Sequence, residues 1–213
     1  MATGDENTLI ERASTGEAVY WRRFRPMILH FCEWLADTPW SIALHESLYG
    51  YAIVESVHVW SLCLFLSMAV LLDLRLLGLA LRMVPVSTVI RRLLPWSTAG
   101  FVVMVMTGAL LFFAIPVRTY HSVFFRLKLI LLVLAGLNVW WFHIRTEPTV
   151  AAWDVGAQIP RRARLAGALS LALWASIVIA GRMIAYNWFD CDRQPQAAIV
   201  NWAASCDVTA SSE

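Results

Sequence analysis

Four long apolar stretches decide what this chain can become. A helix needs about 20 mostly apolar residues to cross the hydrocarbon core of a bilayer. Tyr49–Leu72, with apolar character resuming to Leu81, then Leu93–Val117, Val123–Ile144 and Leu165–Phe189 all meet that requirement. Inside lipid every backbone polar group needs an internal partner, so such stretches are helices. The expected fold is all-α, an integral-membrane four-helix bundle with spans at 49–81, 93–117, 123–144 and 165–189. Only 15% of the 213 residues are charged, against roughly 25% in a soluble domain. The spans use up the length and leave no room for a separate soluble catalytic domain. Pro85, Pro95, Pro116, Pro148 and Pro160 are expected in connections or at helix ends, where a missing backbone donor costs little.

The flanks divide by composition. Residues 1–25 form a polar N-terminal tail of mixed charge without the pattern of a secretory signal. Residues 26–48 read as one or two interfacial helices, the second opened by Thr38 as N-cap and Pro39 at its first position. The membrane domain fills 49–189, and 190–213 is a C-terminal tail. Arg75, Arg82, Arg91 and Arg92 lie between the first two spans, and Arg145, Arg161, Arg162 and Arg164 between the last two. The opposite loop has only Arg118. An excess of Lys and Arg marks the cytoplasmic side, so both termini are expected outside, in the periplasm of a bacterium, with the protein in the inner membrane. Cys191 and Cys206 then share an oxidising compartment, either as a disulfide or as two unrelated thiols. Cys63 is expected to be a small core residue, and Cys32 has no evident partner.

Charge inside the spans is the main functional signal, because ionisable residues there usually face a bundle interior or a water-filled cavity. Glu55 and His58 share one helix face. Helical rise puts them, with Arg126, Lys128 and Arg182, in one layer roughly ten Å below the outer surface. Three readings stay open. The first is a structural ion pair, Glu55 with Lys128 or Arg182, while the cations otherwise snorkel to the headgroups. The second is a single transition-metal ion held by His58, Glu55 and His45 or His121. The third is haem b, with His58 as one axial ligand, Met106 or His121 as the other, and Arg126, Lys128 or Arg182 on the propionates. Gly100 and Gly108 lie nearly on one face, where they would admit a flat macrocycle or simply serve helix packing. Asp73 and Arg75 form a helix-end charge cluster within reach of His143 or Arg145, and Asn138 is expected to make an interhelical hydrogen bond.

Several runs carry a resemblance: Glu46–Ser47, IVESVHVW (Ile53–Trp60), LDLRLLG (Leu72–Gly78), LLPWSTAGF (Leu93–Phe101), TGALLF (Thr107–Phe112) and KLILLVLAGLN (Lys128–Asn138). Over roughly residues 40–145 the chain resembles an uncharacterised bacterial family of multi-pass inner-membrane proteins, the E-x-x-H and LDLRLLG runs being its most specific parts. In size and helix content it is loosely similar to copper-resistance membrane domains and to small b-type cytochromes. The combined expectation is a membrane subunit or accessory protein that supports periplasmic redox or metal chemistry through haem, a metal ion or quinone. Glu55 and His58 are its central pair. A structural anchor of a larger complex and a transport component are the alternatives. The expected partners are the lipid bilayer and other membrane or periplasmic redox subunits, with no nucleic acid. No nucleophile–base–orienter set suggests a stand-alone enzyme.

Overall fold

The computed structural model describes residues 27–154, 159–186, 191 and 196–206. The expected polar tail at 1–25, parts of the expected C-terminal tail at 190–213, and the expected end of the fourth span at Phe189 fall outside the described residues. The architecture is all-α. Two short helices, α1 (Met27–Ala36) and α2 (Pro39–Glu46), precede the bundle. Then follow α3 (Gly50–Leu77), α4 (Val86–Ala114), the six-residue α5 (Pro116–His121), α6 (Val123–Arg145), a 3-10 turn at Glu147–Ala152, α7 (Arg161–Ile184) and α8 (Ala198–Ala204). The helices α3, α4, α6 and α7 are long and apolar enough to span a membrane, so the chain is a multi-pass membrane protein.

Local sequence sets the ends of these helices. Thr38 accepts from the Ser41 amide and Pro39 opens α2, as the sequence implied. Ser41 in turn donates to the Phe113 carbonyl at 2.8 Å, which ties α2 to the end of α4. Gly78 terminates α3 with φ 74°, a left-handed cap that favours glycine. Ser122 caps α6 through the Phe125 amide.

The second span differs from its expected position. It begins at Val86 rather than Leu93 and runs straight through Pro95. The reason is burial at its start: Val86 is fully enclosed and packs with Ile90, Leu76, Phe142, Trp153 and Ala163 in one apolar cluster. The Asp154 carboxylate adds a cap, accepting from the Ser87 amide at 2.8 Å and the Ser87 hydroxyl at 2.5 Å. Such anchoring outweighs the single donor lost at Pro95, an interruption that membrane helices tolerate. Cys63 also departs from expectation, being exposed on the outer side of α3. The inward side of that helix is filled instead by Ser61, Phe65, Asp73 and Leu76.

Packing places α3 at the centre, with α4 along one side and α7 along another, while α6 packs on α7. Glycine permits both contacts of α3. A β-carbon on Gly100 of α4 would stand 3.0 Å from the Phe65 amide nitrogen and 3.1 Å from the Ser61 carbonyl. One on Gly167 of α7 would stand 3.1 Å from the Asp73 carbonyl. Small residues of this kind let membrane helices approach backbone to backbone. A second core cluster joins Phe65, Met104, Ala135, Leu173, Trp174 and Ile177 at mid-bundle. Asn138 makes its interhelical bond, donating to the Ala166 carbonyl of α7 at 3.0 Å.

Two outcomes follow from this packing. Gly100→Val should cost roughly 1–3 kcal/mol by overpacking against immovable backbone. Gly136→Ala, with nothing within 4 Å of its added carbon, should gain about 0.5–1 kcal/mol from helix propensity; melting curves in detergent check both. The Ser87 hydroxyl and amide hold the Asp154 carboxyl below its ordinary 3.8. The capping bond is therefore fully present above that value and is lost as pH falls through the lower, folded one. Wild type and Asp154→Asn should differ in melting temperature near neutral pH and converge as pH falls through the lowered folded value.

Candidate functional site

A cleft of about 1320 Å³ runs through the bundle, lined by all four long helices. The space is an open cleft rather than an enclosed void. Its origin is the packing order. α4 and α6 both lean on central helices and do not pack along each other. At one end they meet through the stacked rings of Phe112 and Phe125, 5.7 Å apart. At the other, Phe142 of α6 joins Val86 and Ile90 of α4 in the apolar cluster. Between these closures Phe101, Val105 and Ala109 of α4 face Leu129, Gly136 and Val139 of α6 across the cleft. These residues are exposed, so the cleft opens sideways towards the bilayer. Trp174, set edge-on to Phe65 at 4.6 Å, belongs to its wall.

His58 stands towards the Phe112 end. Its Nδ1 is 3.0 Å from the Met104 carbonyl and 3.0 Å from the Thr107 hydroxyl. Thr107 donates its own proton to the Val103 carbonyl at 2.7 Å, and a carbonyl can only accept. The imidazole proton therefore sits on Nδ1, and Nε2 keeps a lone pair on a ring that lines the cleft. Gly108 makes room for that ring: a β-carbon there would stand 3.2 Å from Cε1. Across the cleft Lys128 lies against Gly181, whose added β-carbon would be 3.6 Å from the ammonium. Glu55 lines the mouth on the exposed side of α3. Among the described residues it makes no ion pair with Lys128 or Arg182, so the expected salt bridge does not form.

The other sequence candidates disperse. Met106 is 63% exposed and turns away from the cleft, whereas Met104 is the buried neighbour of His58. Arg126 reaches outward to the carbonyls of Tyr120, Ala203 and Ala204 and to the Ser205 hydroxyl, so it anchors α8. Arg182 lines the rim but turns its guanidinium to Tyr186, 3.2 Å from the phenol oxygen. His45 is exposed on α2. His121 lies by α8, with Nδ1 3.0 Å from the Ala204 carbonyl and 3.4 Å from Cys191 Sγ. Cys191 and Cys206 form a disulfide. Among the described residues no group of three His, Cys, Asp or Glu side chains stands together as metal ligands. Arg75 donates to the Val84 carbonyl, and among the described residues no carboxylate stands within ion-pair distance of it.

Sequence reasoning missed the opposing face of the site. Thr107, Gly108 and Gly181 hold His58 and Lys128 in place, and only Gly108 had drawn notice, for a different reason. It also missed Ser170, which lines the far end of the cleft beside Asp73. The visible signal was weak: polar or small residues at helical spacing within apolar spans, which equally serve packing.

No curated protein and no solved structure matches this chain. Residues 31–187 match the model of a family of unknown function, DUF6644, and a match over most of the length makes the chain a member of that family.

Proposed function

We propose that this protein is an inner-membrane subunit that holds an isoprenoid quinone for a partner redox complex, with the quinone head at His58 and Lys128. The observation that carries the reading is the cleft itself: apolar along its length, open sideways to lipid, and polar at the His58 end. Ligand sites of this kind pair an apolar wall with a few polar groups that fix orientation. Nε2 of His58 accepts from a quinol hydroxyl, and the Lys128 ammonium favours the electron-rich oxygens of a quinone ring. The isoprenoid tail lies between Val105 and Gly136 and leaves through the opening.

Haem and metal readings draw less support from the same geometry, because Met106, His121 and His45 stand away from His58. The anchoring of Nδ1 by a carbonyl nevertheless suits a metal-bound histidine. A Soret band in the purified protein would favour haem over quinone.

The proposed orientation puts the basic ends of α3, α4, α6 and α7 in the cytoplasm and the Cys191–Cys206 disulfide outside, in the periplasm. A phosphatase fused after residue 213 should then be active in a bacterial host.

Quinone binding is measurable through quenching of tryptophan fluorescence in nanodiscs, since Trp174 lines the cleft. Saturable quenching by ubiquinone or menaquinone is expected. His58→Leu should weaken quenching by the quinol forms about tenfold, the worth of one hydrogen bond in a low-dielectric site, and leave quenching by the quinones nearly unchanged. Gly136→Phe should weaken both at least as much as that tenfold loss while leaving the melting temperature in place, because the added ring enters the cleft rather than a helix contact. Non-saturable quenching, equal in all three proteins, would refute the quinone reading.

A further inference from the structure

The far end of the cleft holds a second polar group that the quinone reading does not use. Asp73 of α3 is 5% exposed and lines the cleft. The Ser170 hydroxyl of α7 stands beside its carboxyl. The second oxygen, Oδ2, is buried and has no hydrogen-bond partner among the described residues. No described cation pairs with it either. Arg75, two residues on, is directed to the Val84 carbonyl instead.

Three helices converge at this level. Gly167 brings the α7 backbone against the Asp73 carbonyl, which sets Ser170, one turn further along, beside the carboxyl. Asn138 of α6 donates its amide hydrogens to Ala166 at 3.0 Å, one turn before Ser170. Its amide oxygen, an acceptor only, remains for the cleft that Asn138 also lines. One carboxylate, one hydroxyl and one amide side chain thus line the same end of the cleft. Burying an uncompensated carboxylate oxygen is costly, and hard oxygen donors suit hard cations. The charge count selects valence: one carboxylate among neutral ligands balances a single positive charge, whereas a divalent ion would leave a net charge buried.

We propose that this end of the cleft binds a monovalent metal cation, with the Asp73 carboxylate as the charged ligand and the Ser170 hydroxyl and Asn138 amide oxygen as neutral ligands. The site is separate from the His58 end and does not depend on quinone binding.

The test uses the full chain in nanodiscs, with radioactive sodium as the probe and choline replacing sodium to hold ionic strength. Saturable sodium binding is expected. It should fall by about a hundredfold in Asp73→Asn and about tenfold in Ser170→Ala, with no change in His58→Leu. Gel filtration and melting curves identify variants that fail to fold, and Ser170→Ala keeps the test open if Asp73→Asn is one of them. Sodium binding absent from folded wild type, or equal in wild type and Ser170→Ala, overturns the site. So does an infrared band of a protonated carboxyl that vanishes in Asp73→Asn and is indifferent to sodium.

Discussion

Backbone contact of α3 with α4 on one side and α7 on the other sets the rest of the structure. Gly100 and Gly167 remove the side chains that would hold these helices apart. Without a hydrophobic driving force between helices in lipid, close packing has to supply association. Those two helices, α4 and α7, do not pack along each other. The fourth long helix, α6, packs on α7, and the circuit stays open between α6 and α4. The cleft is the geometric remainder of two good contacts.

The same arrangement sorts the polar residues. A charge or imidazole in a span is tolerated where protein rather than acyl chain surrounds it. His58 and Asp73 meet that condition from opposite ends of one helix. His58 is fixed by the Met104 carbonyl and Thr107, and Asp73 stands beside Ser170. Arg126 resolves its charge differently, by reaching out of the bundle to the carbonyls of α8. Glu55 does so by standing at the exposed mouth. The three residues that looked equivalent in sequence, Glu55, His58 and Arg126, thus have three different environments.

The fold was legible because length and hydropathy act within one segment at a time. The spans, the Thr38–Pro39 start of α2 and the bond sought by Asn138 all follow from local chemistry. The start of α4 was misjudged because its first two turns owe their helicity to burial of Val86 and Ile90 against distant segments and to the Asp154 cap. Side-chain direction was the other gap. Depth along a helix can be counted from its sequence, but rotation about its axis depends on the partner it meets. Met104 and Met106 lie at similar depth, yet one is buried against His58 and the other is exposed. The partner of His58 was therefore sought two residues away from where the packing puts it. Asp73 was visible as a charge but was read as a helix-end cluster, since Ser170 and Asn138 come beside it only through the α3–α7 and α6–α7 contacts.

Polarity along the cleft has a direction. Lys128, Arg118 and Arg182 gather at the His58 end, with the Glu55 carboxylate at its mouth, whereas the far end presents Asp73 with Ser170, Asn138 and His143. The wall between them is almost wholly apolar, from Leu62 and Phe65 to Leu132 and Trp174. An amphipathic molecule entering between α4 and α6 meets unequal ends. Electron-rich oxygens are drawn to the cations, and hydroxyl hydrogens to Nε2 of His58. A small cation is drawn the opposite way. Low dielectric strengthens both preferences relative to water. The unequal ends make a site that can tell which way round its occupant lies, a property that symmetric apolar grooves lack.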